Sequence, residues 1–469
     1  MIADKKVKLI RNIQTSEKNG NTWLFIESLP LEIAGFEPGE HVELTYVKDA
    51  LILVRDDDSK YKISKRKRNG KERPLFDRCN KSLTAVLRAK TRIDILVSDG
   101  MLVIREEKSF EFIYNPDKPL LQGADLGKLR LYSAPTGGGF GTASLVDTGY
   151  FEAVGGLEMS PDEMATYLLN MPKGIAYNGD IRRINHLEYV PDQCDLTILS
   201  PPCTLYSSLG TRTMGVTEGL AGHFARVVLS TNSEMLLIEQ VPPYFKSRSF
   251  EQLKFLLEDI YPYWETKIID AYELGSVSGR VRGYAVASKQ PLTDFRWPEI
   301  PKLPDHRRMT VQQVIKKAGD VETGEWRSIE GTVMEGLLHK NSDSNNFNAE
   351  SNRTLVTLSD KRVSCFVRSY RKYQVTSSYL LHPEDKTKWR PFRADEIAEF
   401  LGVPNWFQMP EWLTEGPKTQ LLGQSVDGNV IKSIGIELAL TLMKRKLKMT
   451  IQKPFSFIQT ESGQLELSI

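Results

Sequence analysis

The chain has 469 residues, which is too long for one compact core and predicts two or three domains. Apolar residues make up 40% and charged residues 26%, as in ordinary globular proteins. The net charge of +2 excludes a polycation and leaves any nucleic-acid site to local patches. The four cysteines form no CxxC pair, which argues against a disulfide framework or a structural zinc site, and we expect no metal. No signal core and no apolar run of roughly 18 residues is present, so we expect a cytoplasmic protein without membrane contact.

Residues 1–118 show the pattern of a β-rich domain. Short runs of β-branched and aromatic residues alternate with turn formers, and the hairpin pattern of residues 41–57 returns in residues 92–107. Two copies of one hairpin suggest a small duplicated β-barrel. Between them lies the densest basic cluster of the chain, which suits either contacts with DNA phosphates or a solvated surface loop: Lys65, Arg66, Lys67 and Arg68.

From about residue 128, apolar strands alternate with helical patterns, which predicts a mostly parallel sheet with helices on both faces. We assign residues 119–300 to this α/β domain. The alternation fades in residues 301–389, which contain a polar loop. Helical patterns return in residues 390–447, before a tail of residues 448–469.

A cysteine, a glutamate and a pair of arginines lie next to the ends of predicted strands. Cys203 comes directly after Pro202 in a loop beyond a strand, where doubly wound sheets bind their ligands. The next strand ends in Glu239, which is costly to bury unless it is paired or catalytic. Arg280 and Arg282 precede a later strand, and their alternate spacing places them on one face of an extended segment. Each feature alone has a simpler interpretation as a proline-bounded turn, a solvated strand end or a salt-bridged surface strand.

A glycine-rich turn, residues 136–141, separates the first strand of the sheet from its first helix and would let a ligand approach the backbone. It lacks the Gly-Lys-Ser/Thr ending of a phosphate-binding loop, so a nucleoside triphosphate is not favoured. Glu158 ends the second strand, where an acid commonly holds ribose hydroxyls, and Asp180 follows the third. Together they predict an adenosine-bearing cofactor.

In this order the motifs resemble those of the DNA cytosine-5 methyltransferase family over residues of about 128–445. Residues 390–404 resemble its Arg-x-Leu-Thr-x-Arg-Glu helix, and residues 423–426 resemble its terminal Gly-Asn-Ser-Val block. The resemblance implies an α/β fold with a Rossmann-like methyltransferase sheet, target recognition in residues 301–389, and S-adenosylmethionine as the cofactor. It implies cofactor contacts by Gly137, Gly138, Gly139, Phe140, Glu158, Met159, Asp180, Ile181, Pro202, Gln424, Ser425 and Val426.

The chain departs from the family pattern at four positions. Thr204 stands in place of the Gln after the nucleophile, and Gln240 in place of the Asn in the Glu-Asn-Val block. Ser278 replaces the Gln before the two arginines, and Gln424 replaces the Asn of the last block. These departures change supporting contacts and leave the thiol, the glutamate and the arginines in place.

The resemblance also implies a covalent mechanism. Cys203 would add to carbon 6 of cytosine and so make carbon 5 nucleophilic. Glu239 would hydrogen-bond ring nitrogen 3 and the exocyclic amine, and Arg280 and Arg282 would hold the oxygen of the base. The base would have to flip out of the duplex. Besides the N-terminal basic cluster, DNA contacts are expected from Ser207, Arg368, Arg371 and Lys372.

Residues 31–54 resemble AbrB-like and SymE-like swapped-hairpin domains, which often bind DNA and often dimerise. We therefore expect the N-terminal domain to bind DNA or to form a homodimer. For the whole chain, a DNA methyltransferase with duplex DNA as its partner is favoured. An RNA cytosine-5 methyltransferase and a non-catalytic DNA-binding protein on the same fold stay open as alternatives. The sequence leaves open whether a cognate restriction endonuclease accompanies the enzyme.

Overall fold

The structure, a computed structural model, describes residues 6–68, 70–108, 127–191, 193–202, 218–300, 303–339, 349–451, 456–459 and 465–468. Among these residues, no helix combines the length and the apolar character that crossing a membrane would need.

The N-terminal third is built of β-hairpins, as the sequence predicts. Its strands are β1 Leu9–Gln14, β2 Ser16–Lys18, β3 Asn21–Glu27, β4 His41–Val47, β5 Ala50–Arg55, β6 Tyr61–Lys62, β7 Ser64–Arg68, β8 Lys71–Cys79, β9 Arg92–Ser98 and β10 Met101–Glu106. Two short helices, α1 Leu29–Ile33 and α2 Lys81–Val86, connect them. The two hairpins of the internal repeat, β4–β5 and β9–β10, lie side by side because β5 and β10 pair antiparallel. The basic cluster lies on the strand β7, which pairs with β8, and not on a loop.

The next segment alternates strands and helices, as the periodicity predicts. Its elements are β11 Leu129–Ala134, α3 Phe140–Val146, β12 Phe151–Glu158, α4 Pro161–Asn170, β13 Ile175–Asn178, α5 His186–Tyr189, β14 Leu196–Leu199, α6 Ala221–Thr231, β15 Met235–Gln240, α7 Arg248–Leu257, β16 Tyr263–Asp270 and β17 Val281–Ser288. Strands β11 to β15 are mutually parallel, and β14 and β15 are buried along their whole length. Such uninterrupted apolar strands are typical of a sheet covered on both faces. Helices α6 and α7 cover one face, and α3 covers the other.

The remaining elements form a small region and then return to the sheet. They are α8 Val311–Ile315, β18 Arg327–Ser328, α9 Val333–His339, β19 Leu355–Val356, β20 Tyr379–Leu381, β21 Lys388–Arg390, α10 Ala394–Phe400, α11 Glu415–Gln424, α12 Gly428–Ile451, β22 Ser456–Gln459 and β23 Leu465–Ser468. Strands β18 to β21 form a four-stranded sheet within the predicted target-recognition region. The apolar side of α12 packs beside α3 on the central sheet.

One sheet runs through both the N-terminal and the α/β parts of the described chain. Its strand order is β16-β17-β15-β14-β11-β12-β13-β1-β9-β10-β5-β4-β6. The junction is formed by β1, which pairs parallel with β13 and antiparallel with β9. The α/β class predicted from the sequence is therefore confirmed, and the N-terminal strands extend the same sheet at its β13 edge. The domain boundaries and the swapped-hairpin resemblance stay predictions.

Candidate active site

The glycine-rich turn lies between the carboxyl end of β11 and α3, as predicted. Gly137 and Gly139 have positive φ angles of 53° and 89°, a conformation that residues with a Cβ rarely adopt. A Cβ on Gly139 would lie 3.0–3.3 Å from atoms of Tyr167 on α4, so glycine is required there for close packing. Above Gly137 the nearest atom to a Cβ would be Oε2 of Glu163, at 3.8 Å. The turn therefore lies against Glu163, at ordinary van der Waals distance for a Cβ at this position.

Glu158 ties this turn to the end of β12. Its side chain is 7% exposed, and its carboxylate accepts three backbone N–H groups. The donors are Met159 at 2.7 Å, Ser160 at 2.8 Å and Gly137 at 2.9 Å. A carboxylate has about four acceptor positions, so one is left for a hydroxyl of a ligand. Burial, reinforced by the neighbouring carboxylate of Glu163, raises the pKa of Glu158 to about 7.

Glu163 is a site residue that the sequence reasoning missed. It lies in the first turn of α4, which begins with Pro161 and is capped by the hydroxyl of Ser160, the acceptor of the Glu163 backbone N–H. The side chain of Gln424 donates a hydrogen bond to Oε1 of Glu163. Burial raises the pKa of Glu163, although Gln424 and Arg368 act in the opposite direction. Glu163 belongs to no recognisable sequence motif. Only the packing of α4 against the glycine-rich turn brings its side chain close to Glu158.

The ends of β12 and β13 are held together by Asn178. This side chain is fully buried, and its Nδ2 donates to the carbonyls of Glu158 at 2.8 Å and Met159 at 3.2 Å. Asp180 caps a short 3-10 helix and forms an ion pair with Arg182, whose hydrogen bonds lower the pKa of Asp180. Ile181 is buried, whereas Met159 is 66% exposed.

These features fit an adenosine-bearing cofactor. The glycine turn lets a ligand approach the backbone, Glu158 keeps one acceptor position for a ribose hydroxyl, and Met159 offers an exposed apolar surface for a flat base. Residues Gln424 to Val426 also return to this turn, because Gln424 contacts Glu163 and Val426 lies beside Gly141. Phe140, by contrast, is buried and packs on Phe407, with ring centroids 4.6 Å apart.

A buried carboxylate and an arginine meet at the neighbouring strand ends. Oε1 of Glu239, at the end of β15, lies 3.3 Å from Nε of Arg282 on β17, and Glu239 is 7% exposed. Burial raises the pKa of Glu239 despite the opposing charges of Arg282 and Arg280. On β17, opposite Gln240, Gly283 leaves room for the ring of Phe245, because a Cβ there would lie 2.4 Å from that ring. The structure brings Glu239 and Arg282 together, and their predicted roles toward a base stay predictions.

Arg280 is near enough for its charge to lower the pKa of Glu239, but its hydrogen bonds go to other segments of the chain. It is 2% exposed, and its guanidinium donates to the carbonyls of Phe366 at 2.9 Å and of Ser425. Its Nη1 also lies 3.3 Å from Sγ of Cys365. Arg280 therefore joins the start of β17 to the recognition region and to the segment after α11. Its predicted contact with the base stays a prediction.

The segment that leads to the predicted nucleophile is held by Gln240. Its Nε2 donates to the carbonyl of Pro201, and its Oε1 accepts the backbone N–H of Val241 at 2.6 Å. Pro202 is half-buried at this strand edge, while Cys203 and Ser207 lie outside the described residues. Gln240, which replaces the asparagine of the family pattern, thus holds the segment that precedes Cys203 in the chain.

The predicted DNA-contacting side chains occupy two surfaces. Arg368 and Lys372 are exposed, and Arg371 forms an ion pair with Glu415 at 2.9 Å. With the Gln420 amide turned so that its oxygen faces Arg368, the two side chains form hydrogen bonds of 2.9 and 3.0 Å. In the N-terminal cluster, acids of neighbouring strands pair with two of the basic residues, as Lys65 with Glu72 and Arg66 with Glu27. Lys67 is exposed.

The parallel strands, the glycine turn with acids after the second and third strands, and the buried glutamate beside an arginine define the fold of the S-adenosylmethionine-dependent methyltransferases. More narrowly, the chain belongs to the C-5 cytosine-specific DNA methylase family, whose sequence model matches residues 135–439, more than half of the chain. Enzymes of this family use S-adenosylmethionine.

One solved structure supports the fold, and a second is similar in part. The chain is similar to the S. pombe Dnmt2 methyltransferase, at 20% identity over 68% of this chain and 99% of that one, with a TM-score of 0.52. It is also similar to the Entamoeba histolytica methyltransferase EhMeth, at 18% identity over 66% of this chain and 98% of that one, with a TM-score of 0.47. No curated protein sequence matches the chain.

Proposed function

We propose that this protein transfers a methyl group to carbon 5 of cytosine in duplex DNA, through a covalent adduct with Cys203. The observation that carries the proposal is the pair of Glu239 and Arg282 at a strand edge. At the same edge Gln240 holds the segment that leads to Cys203. A base placed there would meet a nucleophile, an acid and a fixed cation together.

The residue types suit the chemistry of cytosine. The thiolate of Cys203 adds to carbon 6, and the electron pair of the 5,6 double bond moves toward carbon 5. Glu239, whose pKa burial raises, can hold a proton and donate it toward ring nitrogen 3 as negative charge grows in the ring. Arg282 supplies a fixed cation for the base oxygen beside it. Once carbon 5 carries the methyl group, a base takes its remaining proton, which restores the 5,6 double bond and expels the thiolate, and the proton on ring nitrogen 3 returns to Glu239.

S-adenosylmethionine supplies the electrophilic methyl group when it is bound. We assign its ribose to Glu158, its adenine to the surface of Met159 and the edge of Asp180, and its amino-acid end to the turn of Gly137 to Gly139. Gln424 of α11 and Glu163 of α4 are hydrogen-bonded to each other beside this turn. These assignments rest on the glycine turn beside Glu158, on the remaining acceptor position of Glu158 and on the exposed side chain of Met159.

Duplex DNA is the favoured substrate for two reasons. The family model that matches the chain describes cytosine-specific DNA methylases. In addition, the recognition region and strand β7 expose basic side chains, among them Arg368, Lys372 and Lys67. RNA is the second candidate, which an assay with both nucleic acids decides.

The first test measures transfer of tritium from labelled S-adenosylmethionine to duplex DNA of diverse sequence and, in parallel, to transfer RNA. We expect label in the cytosines of DNA with the wild type and none with Cys203→Ser. Cys79→Ser is the matched control, because Cys79 is a free cysteine of the N-terminal strands, and it should keep full activity. Label in transfer RNA alone would replace DNA by RNA in the proposal.

A second test isolates the covalent step. Duplexes that carry 5-fluorocytosine cannot lose a proton from carbon 5, so the adduct with the enzyme should persist through denaturing electrophoresis. We expect a stable adduct with wild type and Cys79→Ser and none with Cys203→Ser. Methylation by the wild type without any trapped adduct would contradict the covalent mechanism and leave the methyltransferase activity standing.

A further inference from the structure

The N-terminal strands meet the α/β part at the strand that leads to the cofactor residues. Strand β1 pairs with β13 in the register Leu9↔Ala176, Ile10↔Tyr177 and Arg11↔Asn178. Asp180, the predicted adenine contact, comes two residues after Asn178. The N-terminal region therefore reaches the carboxyl edge of the sheet, where ligands of such folds bind.

At this junction Arg11 extends a chain of hydrogen bonds into the cofactor site. Its Nη1 donates to Oδ1 of Asn178 at 2.5 Å, and Nδ2 of Asn178 donates to the carbonyls of Glu158 and Met159. The amide of the buried Asn178 is thus fixed in orientation, because its oxygen faces a cation and its nitrogen faces two carbonyls. Glu158 and Met159 are the residues that we assign to the ribose and the adenine.

The junction between β1 and β13 is held by contacts on both faces of the sheet, so a shift of β1 would disturb the contacts on each face. On one face, Leu9 and Ile95 share a hydrophobic cluster with Met164 and Leu168 of α4. The same helix carries Glu163 in its first turn.

On the other face, polar contacts join the N-terminal strands to the segment after β13. The hydroxyl of Tyr189 donates to Asp94 at 2.9 Å and accepts from Arg105 at 2.9 Å. Arg183 forms an ion pair with Glu107 at 2.9 Å. The segment that begins with Asp180 is therefore packed against β9 and β10 as well.

We propose that the N-terminal region is a positioning element of the cofactor site, and that Arg11 acts through Asn178 to hold Glu158 and Met159 in their binding arrangement. This inference rests on the proposed function. The proposed role differs from DNA binding and from dimerisation, because the N-terminal region would act within one chain, at the cofactor end of the sheet.

The test compares two arginines of neighbouring strands in the full-length protein. Arg11→Met removes the donors and keeps a side chain of similar width, whereas Arg92→Met is the matched control. Arg92 lies on β9, and its Nη1 is 3.4 Å from Oδ1 of Asn12, so it also contacts an asparagine but one within the N-terminal strands. Titration calorimetry with S-adenosylhomocysteine gives the dissociation constant, and thermal unfolding reports on folding.

We expect Arg11→Met to raise the dissociation constant about 10- to 100-fold, as for loss of a hydrogen bond with a charged group, and Arg92→Met to leave it unchanged. The KM for S-adenosylmethionine should rise in parallel, while kcat at saturating cofactor stays near the wild-type value. Arg11→Lys keeps the charge with a shorter reach and should recover part of the affinity. If Arg11→Met does not fold, the affinity of Arg11→Lys for S-adenosylhomocysteine is compared with that of the wild type. We expect a lower affinity in Arg11→Lys, and an equal affinity would overturn the positioning role.

The outcomes separate the two proposals. Equal affinity of wild type and folded Arg11→Met would overturn the positioning role and leave the methyltransferase function intact. A loss of affinity equal in Arg11→Met and Arg92→Met would also overturn it, since the effect would then be general loosening of the N-terminal strands. If the wild type itself binds no S-adenosylhomocysteine, the proposed function fails first, and the inference fails with it.

Discussion

We expect the charge of Glu163, next to Glu158, to make cofactor binding depend on pH, and Glu163→Gln tests this expectation. The substitution removes a negative charge from the first turn of α4 and keeps an oxygen that can accept the hydrogen bond of Gln424. Because Glu163 is the second cause, after burial, of the raised pKa of Glu158, we expect that pKa to fall in the variant. Glu158 would then be ionised, and ready to accept a ribose hydroxyl, at a lower pH.

The size of the effect follows from the structure. Two charges on neighbouring side chains interact by up to a few kcal/mol at an effective dielectric constant of about 20. Gln424 and Arg368 already offset part of the charge on Glu163. We therefore expect the pKa of Glu158 to fall from about 7 by roughly one pH unit, or about 1.4 kcal/mol.

The assay is the affinity for S-adenosylhomocysteine between pH 5 and pH 9. If the ionised form of Glu158 binds, the wild-type association constant falls about tenfold for each pH unit below 7. In Glu163→Gln the ratio of the affinity at pH 6 to that at pH 9 should rise about fivefold. This ratio does not depend on any direct contact that Glu163 makes with the cofactor.

Asp162→Asn is the matched control, since it removes the same charge from the same helical turn. Asp162 lines a cavity with Arg11 and Trp412, and its charge is not among the causes of the raised pKa of Glu158. If the pH at which the affinity is half-maximal does not change in Glu163→Gln, or shifts equally in Asp162→Asn, the coupling between Glu163 and Glu158 is refuted.

The free energy of unfolding, measured against pH, independently checks the raised pKa of Glu158. The pKa of Glu158 is about 7 in the folded protein and 4.5 when the group is unperturbed. The folded state therefore holds the proton more tightly, which contributes stability that is fully present below pH 4.5. This contribution, up to about 3 kcal/mol, is lost as the pH rises through 7.

Three further outcomes are expected. Arg282→Gln should lower kcat about 100-fold with little change in the dissociation constant of S-adenosylhomocysteine, because the cation beside Glu239 acts on the base; an unchanged kcat in a labelling assay would contradict this. Glu396→Gln should lower the free energy of unfolding in urea by about 3 kcal/mol, since its carboxylate is fully buried against Arg390 at 2.7 Å, and a loss below 1 kcal/mol would count against it. Lys67→Ala should reduce the slope of log affinity for DNA against log salt by about 1 if β7 contacts phosphates. An unchanged slope together with a dimeric mass in solution would favour dimerisation by the N-terminal strands instead.

Much of the catalytic part could be predicted from the sequence because its signals are local. The apolar strands from β11 to β15 are continuous hydrophobic runs, and the glycine turn, Glu158 and Asp180 each follow such a strand directly. In a parallel sheet the carboxyl ends of the strands share one edge, so their order along the chain predicts that the polar residues after them meet. A common role for Glu239 and Arg282 came only from the family resemblance, because Arg282 lies near the start of β17, which runs antiparallel to β15.

Other features depend on contacts between residues far apart in the chain, and the sequence alone could not decide them. The spacing of Arg280 and Arg282 suggests one shared face, yet Arg280 is buried against the carbonyls of Phe366 and Ser425, which enter from other segments. Glu163 belongs to the site because α4 packs over the turn. A solitary acid in a first helical turn is ordinarily only a favourable partner of the helix dipole.

By itself, the sequence determined the α/β class, the family and the order of the motifs, since these follow from periodicity and from residue types at short spacing. Only the tertiary structure decided that β1 continues the catalytic sheet at β13 and that Arg11 reaches Asn178. Pairing between strands separated by more than 150 residues leaves no periodic trace in either strand. It is selected by the free energy of the packed sheet, in which an edge strand gains a hydrogen-bonding partner and both faces bury their apolar side chains.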